Sequence, residues 1–181
     1  FGGMPVFDAV CDSLATAGTG GFAVKSDSIT SYNTYIQVVI TIFMFLFGIN
    51  FKFYFLLIGK KFKDAFKIEE VRWYFIIYIA AVALITLDIT KDIGNLAVNL
   101  KDAAFQVSTI ITTTGFATAD YCTWPLFSQT LLLMLMFIGA CAGSTSGGIK
   151  VSRFILYIKM MKKELAFQLH PHSIKKVKMD E

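Results

Sequence analysis

Histidine, proline and cysteine are scarce in this chain, which has two, three and three of them in 181 residues. Cys11, Cys122 and Cys141 show no metal-like spacing and make no disulfide framework. Their plainer reading is as buried small apolar residues. His170 and His172 flank one proline with no third ligand nearby, so they read as a solvated turn after a helix, not a zinc site. Charge is sparse too: 17% of residues are charged, against 55% hydrophobic and 15% aromatic. That balance argues against an ordinary soluble domain and for a multi-pass membrane protein. The chain starts at Phe1 without a basic n-region and small-residue cleavage site, and the expectation is a piece of something longer.

The net charge of +4 is unevenly spread. Lys52, Lys60, Lys61, Lys63, Lys67 and Arg72 form one basic cluster. Lys150, Arg153, Lys159, Lys162, Lys163, Lys175, Lys176 and Lys178 form a second. Asp88, Asp92, Asp102 and Asp120 stand where basic residues are few. The positive-inside rule puts both basic clusters in the cytoplasm and the aspartate-bearing loops outside. A nucleic-acid-binding face is the rival reading, and the flanking apolar runs argue against it.

The apolar run 36–51 continues to Lys60 and reads as one spanning helix running outside to inside, with Lys52 snorkelling near the cytoplasmic interface. Residues 61–72 read as a polar, amphipathic cytoplasmic connection. Residues 73–87 form a second span, extended by Asp88 and Ile89, with Trp73, Tyr74 and Tyr78 at its cytoplasmic interface. Residues 125–165 are too long for one crossing: a straight helix of that length would reach about 60 Å, against a hydrocarbon core of about 30 Å. The stretch GACAGSTSGGIK (139–150) breaks it, predicting helix, intramembrane loop, helix.

There is also an internal repeat. FDAVCDSLATAGTGGFA (7–23) aligns without gaps on KDAAFQVSTIITTTGFA (101–117), an offset of 94 that pairs Thr19 with Thr113, Gly21 with Gly115 and Phe22 with Phe116. Each copy predicts a helix too short to cross, a Thr/Gly loop and then a long apolar span. A segment that enters and turns back is a re-entrant pore loop. An alkali cation sheds water in a membrane only where oxygens replace it, and backbone carbonyls do so when they point inward. Glycine allows the rare φ angles this needs, threonine can add a hydroxyl, and the short helix aims its negative end at the cation.

With AGTGGF, TTTGFATADY, GINF and GACAGSTSGGIKVSR in this order, the chain resembles the Trk/Ktr/HKT superfamily of potassium transporters, most closely the bacterial pore subunits of the TrkH/KtrB type. The resemblance implies an all-α membrane protein in which span–pore helix–filter loop–span repeats surround a pseudo-fourfold cation pore. It implies potassium uptake across the bacterial inner (plasma) membrane, with K⁺ as the transported ion and no organic cofactor or enzyme chemistry. Residues 1–60 would be the second half of one repeat, 61–72 the connection, 73–167 a complete repeat with a broken second span, and 168–181 a linker to a further repeat. The filter would fall on Thr19, Gly20, Gly21, Thr113, Thr114 and Gly115, with Phe22 and Phe116 packed behind it. The gate loop would fall on residues 139–148: Gly139, Gly143, Ser144, Thr145, Ser146, Gly147 and Gly148. Lys150 and Arg153 either contact that gate or helix ends, or mark the cytoplasmic boundary. The implied partners are a second copy of the pore subunit, cytosolic nucleotide-binding regulatory subunits and lipid, without nucleic acid.

Other readings fit less well. GSTSGGIK departs from the phosphate-loop pattern because Ile149 precedes Lys150, and no strand-like segment leads into it. A membrane enzyme would need a nucleophile–base pair or a metal set that the apolar runs do not supply. A structural subunit using glycine for helix packing explains GACAG but not two loops that stop short of crossing. A sodium-permeable or Na⁺-coupled member of the same superfamily stays open, because a serine in the family's first filter loop goes with Na⁺ preference.

Overall fold

The computed structural model describes residues 2–92 and 95–169, and the linker residues His170, His172, Lys175, Lys176 and Lys178 lie outside them. The described residues form eight α-helices and no strand: α1 (Val6–Ala17), α2 (Thr34–Phe47), α3 (Phe51–Ile58), α4 (Phe62–Lys67), α5 (Glu69–Asp92), α6 (Leu96–Ile111), α7 (Leu126–Phe137) and α8 (Val151–Leu169). Pro5 and Pro125 stand immediately before α1 and α7, where a missing N–H costs nothing. Asn33 caps α2, its Oδ1 accepting the Ile36 N–H at 3.0 Å.

The span expected from 36 to 60 is not one straight helix. Helices α2 and α3 meet at 91° across Gly48, Ile49 and Asn50. A Cβ on Gly48 would overlap the Tyr74 hydroxyl and lie 2.9 Å from Thr112 Cγ2, so only glycine lets α5 and the end of α6 approach here. Asn50 starts the second helix by accepting the Lys52 N–H at 2.8 Å. Two tyrosines add a second hydrogen bond to carbonyls in the last turn of α2 that already accept the Gly48 and Ile49 N–H groups: Tyr54 donates to Leu46 O at 2.6 Å and Tyr74 to Phe45 O at 3.1 Å. Tyr74 is therefore fully buried, not an interfacial residue as its position suggests. Tyr78, half-buried, packs at 3.0 Å against the Ser108 hydroxyl, and Trp73 alone of the three is exposed.

Helix α5 begins at Glu69, four residues before the expected start of its span, and its 24 residues reach about 36 Å, enough to cross a bilayer. The most apolar 18-residue window within Glu69–Lys91 has mean hydropathy 1.9. Helix α6 begins at Leu96, ahead of the repeat's first residue Lys101, but at 16 residues still covers only about 24 Å. It packs against α5, α2 and α7. One apolar core runs through α5 to α8 and α3; a second joins Met4, Ile29, Tyr32 and α2 to Phe105 and Phe116. Large apolar side chains such as Ile79, Leu87, Leu133, Met136 and Phe137 remain exposed, which suits lipid.

The expected break in 125–165 is present: α7 ends at Phe137 and α8 begins at Val151. The cysteines divide, with Cys141 buried, Cys11 half-buried and Cys122 exposed. Cys122 sits in a 3₁₀ turn opened by Asp120. The neighbouring Asp120 carboxylate, by hydrogen bonding and by its charge, pushes the thiol pKa up.

Candidate functional site

Helices α1 and α6 end in the same turn. After α1, Thr19 N–H donates to Thr16 O and Gly20 N–H to Ala15 O; after α6, Thr113 N–H donates to Ile110 O and Thr114 N–H to Thr109 O. This is a Schellman ending, twice, at the repeat offset. The residue that must be left-handed is a threonine each time, Thr19 at φ 49° and Thr113 at φ 57°. Glycine is usual there, and a β-branched residue is an outlier that costs of order 1–3 kcal/mol. Two residues on, Gly21 (φ 69°) and Gly115 (φ 90°) are left-handed as well.

The two loops touch. A Cβ on Gly21 would overlap the Thr114 carbonyl oxygen and lie 2.8 Å from the Thr114 carbonyl carbon. A Cβ on Gly115 would meet nothing within 4 Å. The Thr/Gly segments thus lie side by side around open space. The threonine hydroxyls are already engaged: Thr114 with Thr112 at 2.7 Å, Thr19 with Gly18 O at 2.8 Å, Thr113 with Thr112 O at 2.7 Å.

Of the two phenylalanines, Phe116 packs behind its loop as expected, 1% exposed, against Ile29, Met44 and Phe105. Phe22 does not; it is 84% exposed. The difference is one of neighbours, since the residues covering Phe116 include several from the preceding unit.

Residues 139–148 form a closed hairpin under these loops. Its neck is tight: Gly139 N–H donates to Ile149 O at 2.6 Å, Val151 N–H to Ala140 O at 3.2 Å, and a Cβ on Gly139 would overlap the Gly147 carbonyl. The bend between α2 and α3 holds one flank, through Cys141 N–H to Gly48 O at 3.1 Å and Phe51 N–H to Gly143 O at 3.0 Å. Ser144 donates to Cys141 O at 2.7 Å and pairs with Ser146 at 2.9 Å. The tip reaches both Thr/Gly loops: Thr19 Oγ1 lies 2.9 Å from Thr145 O, and Gly147 N–H donates to Thr113 Oγ1 at 2.7 Å. Gly148 is left-handed at φ 74°. Lys150 turns its ammonium back onto the loop, onto Ser146 O and, at 3.2 Å, Ser146 Oγ. Arg153 is exposed and makes no such contact among the described residues.

Sequence reasoning missed three participants. Gly48 and Asn50 form the bend, and their signal was a polar residue and a glycine inside an apolar run. Glu70, read as part of a polar, amphipathic connection, is 4% exposed and lies against the hairpin. No metal-ligating cluster of His, Cys, Asp or Glu occurs among the described residues.

The hydroxyl of Thr113 separates strain from contact. Thr113→Gly should relieve the backbone while removing the acceptor of the Gly147 N–H. One such bond is worth about 1 kcal/mol, roughly fivefold in a two-state equilibrium. The expected result is unchanged thermal stability with about fivefold faster amide exchange at Gly147; unaltered exchange there would contradict it.

A family model described as "TrkH: Cation transport protein" matches residues 2–181. The Trk system potassium uptake protein TrkH of Salmonella typhimurium is 37% identical over 183 residues, covering 99% of this chain and 38% of that protein. TrkG of Escherichia coli (strain K12), also named a Trk system potassium uptake protein, is 33% identical over 95% of this chain and 36% of its own. Among solved structures, the crystal structure of the potassium transporter TrkH from Vibrio parahaemolyticus superposes with a TM-score of 0.89 at 32% identity, over 98% of this chain and 39% of that one. The chain thus spans under two fifths of the length of these relatives.

Proposed function

The chain belongs to the TrkH family of cation transport proteins, and from that premise we propose that it supplies two filter segments and the gate of a potassium-uptake pore. The carrying observation is the pair of Schellman turns that bring the Gly21 and Gly115 backbones together around open space. Backbone oxygens of Thr19, Gly20, Gly21, Thr113, Thr114 and Gly115 replace the hydration shell of K⁺. The negative ends of α1 and α6 face the same ion.

Residues 139–148 obstruct the path from below. Their contacts with Thr19 and Thr113 fix the obstruction to the filter base. The Lys150 ammonium adds a positive charge on the same route. Residues 1–60 serve as the second half of one repeat, 61–72 as the connection, 73–167 as a complete repeat and 168–181 as a linker. A further repeat packs over Phe22 as residues of the first unit pack over Phe116. The complete protein works in the bacterial inner membrane as a homodimer with cytosolic nucleotide-binding subunits, in line with its relatives' designation as parts of a Trk system. Glycine in both visible loops favours K⁺ over the sodium-permeable alternative.

Gly115→Ser tests this reading in the complete protein. Open space beside Gly115 admits the side chain, but φ 90° strains it and its hydroxyl enters the ion path. Uptake assays with K⁺ and Na⁺ in competition should show discrimination weakened about tenfold, the equivalent of about 1.4 kcal/mol. Unaltered preference at normal uptake would overturn the filter assignment.

A further inference from the structure

We propose that Glu70 is a positioning residue for the gate, a carboxylate clamp that closes the hairpin at its base; this rests on the gate reading above. Glu70 Oε1 accepts the Ala142 N–H at 2.6 Å and the Ser152 N–H at 3.1 Å. Those amides lie ten residues apart, one entering the hairpin and one in the first turn of α8. Glu70 Oε2 faces Asn50 Nδ2 at 3.5 Å, which adds the bend between α2 and α3 to the same carboxylate. One side chain on α5 therefore gathers two backbone amides and the Asn50 side chain, from three separate segments.

The chemistry suits an anion. First-turn amides of a helix lack intrahelical partners and carry the positive end of its dipole. A carboxylate this deeply buried needs such charge-assisted donors. The adjacent residue, Glu69, pairs with Lys159 of α8 at 2.6 Å. The start of α5 is thus tied to both α8 and the hairpin. Thr19 and Thr113 hold the tip while Glu70 holds the base, so the hairpin opens most easily when the base is released.

The test uses the complete transporter, with Glu70→Ala and Glu70→Gln beside a deletion of residues 143–147. Glu70→Ala should raise K⁺ flux per folded protein about tenfold at unchanged K⁺/Na⁺ preference. Glu70→Gln, which keeps an acceptor oxygen, should restore flux towards the original value; a merely structural role would lower flux in both. Flux at or below the original in folded Glu70→Ala, with raised flux in the deletion, overturns the clamp and leaves the gate standing. Unchanged flux in the deletion overturns both. Should Glu70→Ala fail to fold, amide exchange on the unaltered protein decides. Slow exchange at Ala142 and Ser152 relative to Gly147 supports the clamp, and equally fast exchange overturns it.

Discussion

Gly21→Ala should abolish potassium uptake by the complete transporter, a loss of about 100-fold or more per folded protein, or about 3 kcal/mol in transition-state terms. Two costs coincide at this position. The backbone is left-handed at φ 69°, where a side chain is strained. The added methyl would overlap the Thr114 carbonyl oxygen and come within 3.2 Å of the Gly115 carbonyl carbon, both backbone atoms. Thr114 cannot swing aside cheaply, because its N–H is held by Thr109 O at 2.9 Å and its hydroxyl by Thr112 at 2.7 Å. The methyl must therefore push the two loops apart and misplace the backbone oxygens proposed to coordinate the ion. Gly115→Ala is the internal control. It meets strain but no neighbour within 4 Å, and should retain more uptake. Equal or milder loss at Gly21 than at Gly115, in tracer uptake normalised to folded protein, would contradict the loop-to-loop contact.

Deleting residues 143–147 should have the largest effect in the opposite direction. The neck survives, since Gly139, Ala140, Ile149 and Val151 supply its bonds. The contacts from Thr145 and Gly147 to the Thr/Gly loops disappear, and with them the acceptor that Ser146 offers Lys150. On the proposed gate reading, removing the obstruction while keeping every filter residue raises flux, and selectivity should hold if the backbone turns of the two loops survive without the hairpin tip. The expected result is about a tenfold or greater gain in flux, from losing contacts worth about 1 kcal/mol each together with the steric block. Selectivity lost along with the block would mean that the hairpin is part of the filter.

Some of this organisation was legible from residues alone. The repeat offset of 94 predicted two equivalent loops, and the structure repeats even their hydrogen bonds. Four glycines within twelve residues predicted the break between α7 and α8. What was not legible depended on tertiary neighbours. Gly48 is a single glycine in an apolar run, and its meaning appears only when Tyr74 packs against it. Tyr74 looked interfacial because the contacts that bury it, to Phe45 O and to Gly48, come from a helix 26 or more residues away. Glu70 follows Glu69 in a polar connection with nothing local to single it out; its donors lie 72 and 82 residues away. Phe22 and Phe116 are equivalent in sequence and differ in exposure because different segments surround them.

The most direct measurement is the structure of the complete protein in rubidium, with the ion located by its anomalous signal. The account predicts a peak at coordinating distance from the backbone oxygens of both the Thr19–Gly21 and Thr113–Gly115 segments, above the hairpin tip. No peak there, or a peak that only one segment reaches, would contradict it.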